Sequence, residues 1–369
     1  LPAISFTNIT KKFGKVLALD RLSFDVQNGE YLCVLGPTGS GKTTLLRLIA
    51  GLLRPDEGAI YFDGKPVNRL EAHDRNAVYV PQQYALFPHL TVLQNVAFGP
   101  LARQKPEKEA LDAAWKTLEM VRLSWRAKAY PSELSGGMQQ RVALARGLAS
   151  GADLLLLDEP LGALDARLRL DLRHKLRELV KQSGFTAIHV THDRDEAMSV
   201  ADRILVLRGG RIQDHGVPPR VYMRPSGIFV ANLIGGANLL EGIVDTVTEE
   251  ISTTRMRGGL MIRTPRAPLP TTEQPVILAI RKETVEISSR DIQRDNVLKG
   301  EVREIHFLGS FREYLIRLTN GDVIASRRFL EGMESEFKVG ENVTVGFDSR
   351  DIIIFAYPRQ GLRKELEIS

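Results

Sequence analysis

Gly36-Pro37-Thr38-Gly39-Ser40-Gly41-Lys42-Thr43 decides the architecture of this chain, because it meets the spacing G-x-x-x-x-G-K-[ST] between a strand-like and a helix-like segment. Tyr31 to Leu35, just before it, is an apolar run of strand length; Thr44 to Ala50, just after it, reads as a helix that Gly51 can end. Glycines at this spacing let successive backbone N–H groups curl around phosphate oxygens, and the helix N-terminus adds partial positive charge. In such a loop the Lys42 ammonium neutralises β- and γ-phosphates and the Thr43 hydroxyl ligates Mg²⁺. Transporters, kinases, GTPases and helicases all use a loop of this kind, so the rest of the chain must narrow the choice.

Two further stretches do so. Leu154-Leu155-Leu156-Leu157-Asp158-Glu159 is an apolar strand ending in two acids, which places both carboxylates at the strand's C-terminal end, where open α/β sheets bind ligands. Asp158 then suits Mg²⁺ and its waters, and Glu159 suits a general base for an attacking water; capping of the turn at Pro160 is the plainer alternative. In Leu134-Ser135-Gly136-Gly137-Met138-Gln139-Gln140-Arg141, Ser135 is a good N-cap for a helix running to about Ala149, and two glycines expose backbone N–H groups. That makes either a second anion site or an ordinary capped helix.

Composition sets the frame. The 369 residues are too many for one core, and 43% hydrophobic with 26% charged residues argues against disorder and against a fibrous chain. No apolar run approaches the roughly 18 residues of a membrane-spanning helix. Leu1-Pro2-Ala3-Ile4 has neither a basic nor a long apolar character, so no secretory signal is expected. A single cysteine, Cys33, excludes an internal disulfide framework and suits a reducing cytosol. Lys+Arg 50 against Asp+Glu 45 leaves a net charge of +5, which suits an anionic ligand or an acidic membrane surface.

Early segments, Ile4 to Thr10, Leu22 to Val26 and Ala59 to Phe62, alternate like half-buried strands joined by tight turns, so the opening strands, Tyr31 to Leu35 among them, are expected to be antiparallel. Leu154 to Leu157 and Thr186 to Val190 are continuous apolar runs, the pattern of a covered parallel sheet, and Leu164, Leu168, Leu172, Leu176 and Leu179 between them read as a core stripe. Beyond Ile234-Gly235-Gly236 the texture changes. Tyr314, Ile316 and Leu318, then Val343, Val345 and Phe347, alternate as strands, and proline-rich Arg263 to Pro275 reads as a loop. The expected division is a cassette over 1–234 and an all-β region over 235–369.

Taken together these motifs resemble the ATP-binding cassette family: Walker A at Gly36 to Thr43, the signature at Leu134 to Arg141 and Walker B ending in Glu159 stand in family order. Gly162-Ala163-Leu164-Asp165 resembles the D-loop, His192 in Thr191-His192-Asp193 the switch histidine, and Gln82 in Val80-Pro81-Gln82-Gln83 the Q-loop glutamine. Met138 and Pro81 depart from the residues common at their positions. The resemblance implies an α/β P-loop NTPase cassette with an antiparallel β subdomain and a helical subdomain, followed by an all-β OB-like domain. It implies ATP and Mg²⁺ as ligands and a head-to-tail homodimer. ATP would then lie between Gly36, Pro37, Thr38, Gly39, Ser40, Gly41, Lys42, Thr43 and Thr44 of one subunit and Ser135, Gly136 and Gly137 of the other, with Asp165 of the D-loop also at the nucleotide. Phe13 aligns with the adenine-stacking aromatic. Glu159, His192 and Gln82 take the catalytic roles, and Thr43, Gln82 and Asp158 the metal.

Within the family, Tyr84 to Val92 and the β-rich tail resemble ATPases of bacterial importers for sugars, polyamines, ferric ion, sulfate, molybdate and phosphonates. That implies a peripheral subunit on the cytoplasmic face of the membrane, working with transmembrane permease subunits and, indirectly, a solute-binding protein. Ala237 to Gly242 is similar to polyamine and phosphonate importers. A cassette ATPase acting on nucleic acid or ribosomes is the rival reading; the tail lacks aromatics interleaved with Lys/Arg, which argues against it. Tyr84, Ala85, Leu86, Phe87 and Leu90 form an apolar cluster beside Pro88, read either as internal packing or as a permease groove.

Overall fold

Strand alternation near the N-terminus produces β1 (Ile4–Phe13) and β2 (Val16–Val26), which pair antiparallel around a tight hairpin with Gly14 at a φ of 58°. The computed structural model describes residues 3–249, 251–265, 271–330 and 337–367. After β3 (Tyr31–Leu35) and helix α1 (Lys42–Ile49) come β4 (Glu57–Phe62), β5 (Lys65–Pro66) and β6 (Ala77–Val80). Helices α2 (Val92–Ala102), α3 (Glu107–Met120) and α4 (Gly136–Ala149) follow, then β7 (Leu154–Asp158), α5 (Ala166–Ser183), β8 (Thr186–Thr191), α6 (Arg194–Val200), β9 (Arg203–Arg208), β10 (Arg211–Gly216) and α7 (Pro218–Met223).

Two sheets result. One is antiparallel, in the order β2-β1-β4-β5; the other runs β10-β9-β3-β8-β7-β6. Tyr31 to Leu35 therefore does not join the antiparallel strands, as the alternation argument expected, but pairs parallel with β8 and β9. All five of its residues are buried, and a strand apolar on both faces needs a sheet covered on both sides. Leu32 and Val34 of β3 share a core with Leu45 and Leu48 of α1, Leu154 and Leu156 of β7 and Phe6 and Ile9 of β1. Burying each such side chain contributes about 1.5–3 kcal/mol relative to exposure. The expected leucine stripe is only partly right: α5 buries Leu172, Leu176 and Val180, an i, i+4, i+8 row in which Val180 takes the place of Leu179.

Among the described residues the tail is built of strands with a few single 3₁₀ turns and two short α-helices, α8 (Ile228–Gly235) and α9 (Leu362–Leu366). Its first sheet is made of β11 (Asn238–Val247), β12 (Ile251–Met256), β13 (Met261–Pro265), β14 (Pro275–Ile280) and, from the C-terminal end, β20 (Ile352–Ala356). Its second holds β15 (Glu286–Ser288), β16 (Asn296–Phe307), β17 (Phe311–Leu318), β18 (Val323–Phe329) and β19 (Asn342–Phe347). Leu278, Val302, Ile316, Val345 and Phe347 form one core between the sheets. Of the proline-rich segment, Arg263 to Pro265 ends β13 and Pro275 opens β14, while residues 266–270 lie outside the described residues. The chain divides into two compact units between Val221 and Tyr222, so α8 belongs with the second. Among the described residues no helix is long and apolar enough to cross a membrane.

Candidate active site

The loop after β3 is shaped by two glycines that nothing else can replace. A Cβ on Gly36 would stand 2.2 Å from the Leu207 carbonyl oxygen, and one on Gly41, whose φ is 101°, would stand 2.5 Å from that of Ala18. Gly41 then serves as the N-cap of α1 without a side chain of its own. Buried Lys42 turns back into the loop, and its Nζ donates to the carbonyls of Gly36 and Pro37, each at 2.8 Å. That uses two of its three N–H donors. Burial pushes the Lys42 ammonium below the ordinary lysine range, opposed by the charges of Glu159 and Asp158. Ser40 Oγ, also buried, has no hydrogen-bond partner among the described residues, a donor that suits a phosphate oxygen.

Facing the loop, β7 delivers its two acids. Asp158 is buried, accepting from Thr43 Oγ1 at 3.1 Å on one oxygen and from the Tyr79 hydroxyl at 2.9 Å on the other. Burial, with the charge of Asp158, pushes the Tyr79 phenol up to about 12, so it stays a donor to that carboxylate. Oxygen donors at Thr43 and Asp158 suit a hard cation, and among the described residues no group of three or more His, Cys, Asp or Glu is arranged to hold a metal ion by itself. So sparse a set fits Mg²⁺, which takes most of its oxygens from water and substrate phosphates.

Glu159 adopts a left-handed backbone, φ 50°, which costs a non-glycine residue about 1–3 kcal/mol unless its surroundings hold it. Its carboxylate bridges two expected partners: Oε2 accepts from Gln82 Nε2 at 3.0 Å, and Oε1 stands 3.1 Å from His192 Nδ1. The chain on either side of His192 is fixed. Thr191 Oγ1 donates to Glu196 Oε2 at 2.6 Å and accepts from the Asp193 N–H at 3.0 Å, while Arg173 Nη2 donates to Asp193 at 2.6 Å.

A cavity of about 390 Å³ is lined by Thr38, Gly39, Gly41, Lys42, Thr43 and Thr44 on one side and Gln82, Glu159 and His192 on the other. Phe13 is not in that lining; it sits at the end of β1, 47% exposed, with Lys11 Nζ 5.6 Å from its ring centre, and Val16, Leu17 and Ala18 occupy the wall. Ser135, Gly136, Gly137 and Asp165 stand outside the lining as well. Ser135 Oγ accepts from the Met138 N–H at 3.4 Å to cap α4, and Asp165 Oδ1 from the Leu168 N–H at 2.9 Å to cap α5. Sequence reasoning missed Tyr79, Thr191, Glu196 and the buried Gln140. Gln140 and Thr191 lie inside the motifs Leu134 to Arg141 and Thr191-His192-Asp193, which gave them no role of their own.

Comparisons with known proteins give the family. The ABC transporter family model matches residues 19–162, and the TOBE domain model matches residues 278–355. The chain is 40% identical to the spermidine/putrescine import ATP-binding protein PotA of Rubrobacter xylanophilus over 97% of its length and 94% of the relative's. It is 39% identical to the Fe(3+) ions import ATP-binding protein FbpC of Brucella abortus, covering 95% and 97%, and 42% identical to the sulfate/thiosulfate import ATP-binding protein CysA of Escherichia coli, covering 85% of each. A solved dimeric structure of the ATP-binding cassette MJ0796 bound to ADP and Pi superposes with a TM-score of 0.54 at 34% identity, covering 58% of this chain and 98% of that one.

Proposed function

This chain belongs to the ABC transporter family, as an ATPase subunit of an import system, and from that premise we propose how its residues do the work. It closes as a head-to-tail homodimer on two ATP molecules, Gly36 to Thr44 of one subunit and Ser135, Gly136 and Gly137 of the other enclosing each. The observation that carries the reading is Glu159, placed on the cavity wall opposite Lys42 and bonded at once to Gln82 and beside His192. Glu159 takes the proton of the attacking water as general base, and His192 and Gln82 hold its carboxylate in line. Thr43, Asp158 and Gln82 would hold Mg²⁺, which neutralises charge on the phosphates during transfer. Phe13 and the start of β2 receive the adenine.

The position of the signature, outside the cavity lining of its own chain, supports a composite site. Ser135→Arg is expected to leave ATP binding to the isolated subunit unchanged yet lower hydrolysis by about 100-fold or more, since it fills the site of the partner's γ-phosphate. Phosphate release beside equilibrium ATP binding checks this; hydrolysis at the normal rate would sink the composite site.

Permease subunits dock on the segment after Gln82. Leu86 and Phe87 are half-buried, Phe87 packs against the exposed Phe98 with ring centres 4.5 Å apart and planes tilted by 47°, and Asn95 clamps the segment through the Phe87 N–H and the carbonyls of Phe87, Leu90 and Thr91. A segment so fixed can pass a movement at Gln82 to the membrane. Leu86→Glu, which places a charge against an apolar partner, is expected to abolish co-purification with the permease while leaving ATP affinity and melting temperature of the isolated subunit intact. A large fall in melting temperature would assign Leu86 to internal packing instead. The protein then works peripherally on the cytoplasmic face, fed indirectly by a solute-binding protein. Polyamine, ferric ion and sulfate are the solute classes that the relatives' names point to, with Ala237 to Gly242 favouring polyamine or phosphonate. Uptake assays with the neighbouring permease discriminate among them.

A further inference from the structure

The left-handed backbone of Glu159 is pinned at both ends. Its N–H donates to the Val190 carbonyl at 2.9 Å, and its own carbonyl accepts from Gln140 Nε2 at 2.9 Å. The same amide reaches further: Gln140 Oε1 accepts from the Ala163 N–H at 2.8 Å. Gln140 is 5% exposed and takes no part in the cavity lining; what it touches is the backbone of Glu159, not its carboxylate. One buried side chain thus spans the turn from Glu159 to Ala163, using both faces of its amide, and does so from α4, the helix that begins beside Ser135.

The geometry points to Gln140 as a positioning residue for the catalytic base, fixing the backbone turn that aims the Glu159 carboxylate at the cavity. This rests on the reading of Glu159 as general base. An amide suits the position because it meets one acceptor and one donor of the turn: the Glu159 carbonyl, which also accepts from the Gly162 N–H at 3.3 Å, and the Ala163 N–H. A carboxylate can accept from Ala163 but has nothing to donate to Glu159; a thioether of similar length does neither. Displacing a catalytic group by even about 1 Å can cost on the order of 100-fold in rate without touching substrate binding.

The test uses the full chain with Gln140→Met and Gln140→Glu, measuring kcat and KM for ATP, ATP-driven dimerisation by light scattering, and melting temperature. Both variants are expected to lose about 10- to 100-fold in kcat, with KM within about threefold of the parent. ATP-driven dimerisation should persist in both, because the Ser135 end of α4 is untouched. Retention of normal kcat in either variant would overturn the proposal; in Gln140→Glu it would show that the Ala163 bond alone matters. Loss of dimerisation in step with kcat, or a collapse of melting temperature in both variants, would reassign Gln140 to holding α4 or the fold. Failure of the underlying reading looks different: Glu159→Gln would then itself turn over ATP normally, whatever the Gln140 variants do.

Discussion

Glu159→Gln is expected to slow ATP turnover by about 100- to 10,000-fold, the range a positioned general base contributes, while ATP binding survives. The substitution keeps the side chain's size and, in this site, its contacts. The new amide oxygen can still accept from Gln82 Nε2, and the new N–H₂ can donate to His192 Nδ1, at the places where Glu159 now stands 3.0 and 3.1 Å from them. Glutamine meets the same backbone demand at φ 50° as glutamate, so the turn has no new strain to absorb. What disappears is the capacity to take a proton from water. ATP held but not cleaved should then trap the closed dimer, which light scattering detects as ATP-dependent doubling of mass beside a near-silent phosphate-release assay. Turnover close to the parent's would falsify the assignment of the base.

Much of this candidate site is legible in the sequence, and the reason is chemical. Phosphate binding demands consecutive small residues, a cation and a hydroxyl at fixed offsets, so Gly36 to Thr43 carries its spacing openly in the sequence. Asp158 and Glu159 were visible because two acids interrupt a run of four leucines. What stayed hidden depends on which strands lie side by side. Tyr79 reaches Asp158 because β6 pairs parallel with β7, and no local pattern in Ala77 to Val80 announces that neighbour. Thr191 and Glu196 act on the backbone beside His192 across the start of α6, a contact that resembles an ordinary capping arrangement in sequence. The misplacement of β3 has the same root. A turn signal such as Asn28-Gly29 suggests a hairpin, but five consecutive buried residues outweigh it and send the strand to the parallel sheet. Phe13 lies outside the cavity lining with its ring beside Lys11, while Val16, Leu17 and Ala18 build the wall, so its adenine role rests on the resemblance and not on a pattern in the sequence.

Lys42→Ala strikes the other half of the chemistry, and its expected effect is on binding. The Lys42 ammonium has two donors committed to the Gly36 and Pro37 carbonyls, which fixes it within the loop and leaves its third N–H for a phosphate oxygen. A compact, pre-positioned charge of this kind makes a charge-assisted hydrogen bond, and removing it leaves phosphate charge without its partner. ATP affinity should fall by about 2–4 kcal/mol, which is on the order of 30- to 1,000-fold in Kd. The fold should tolerate the change, because burial already works against the charged form of Lys42 and alanine removes that desolvation together with the charge. Lys42→Arg is not expected to restore binding: the guanidinium is a planar fork, larger than the ammonium that the loop encloses. Calorimetric titration with ATP, alongside melting curves of the parent and both variants, separates these effects. A Kd unchanged in Lys42→Ala would count against the phosphate loop itself, since the loop's one buried cation would then have no part in holding the nucleotide.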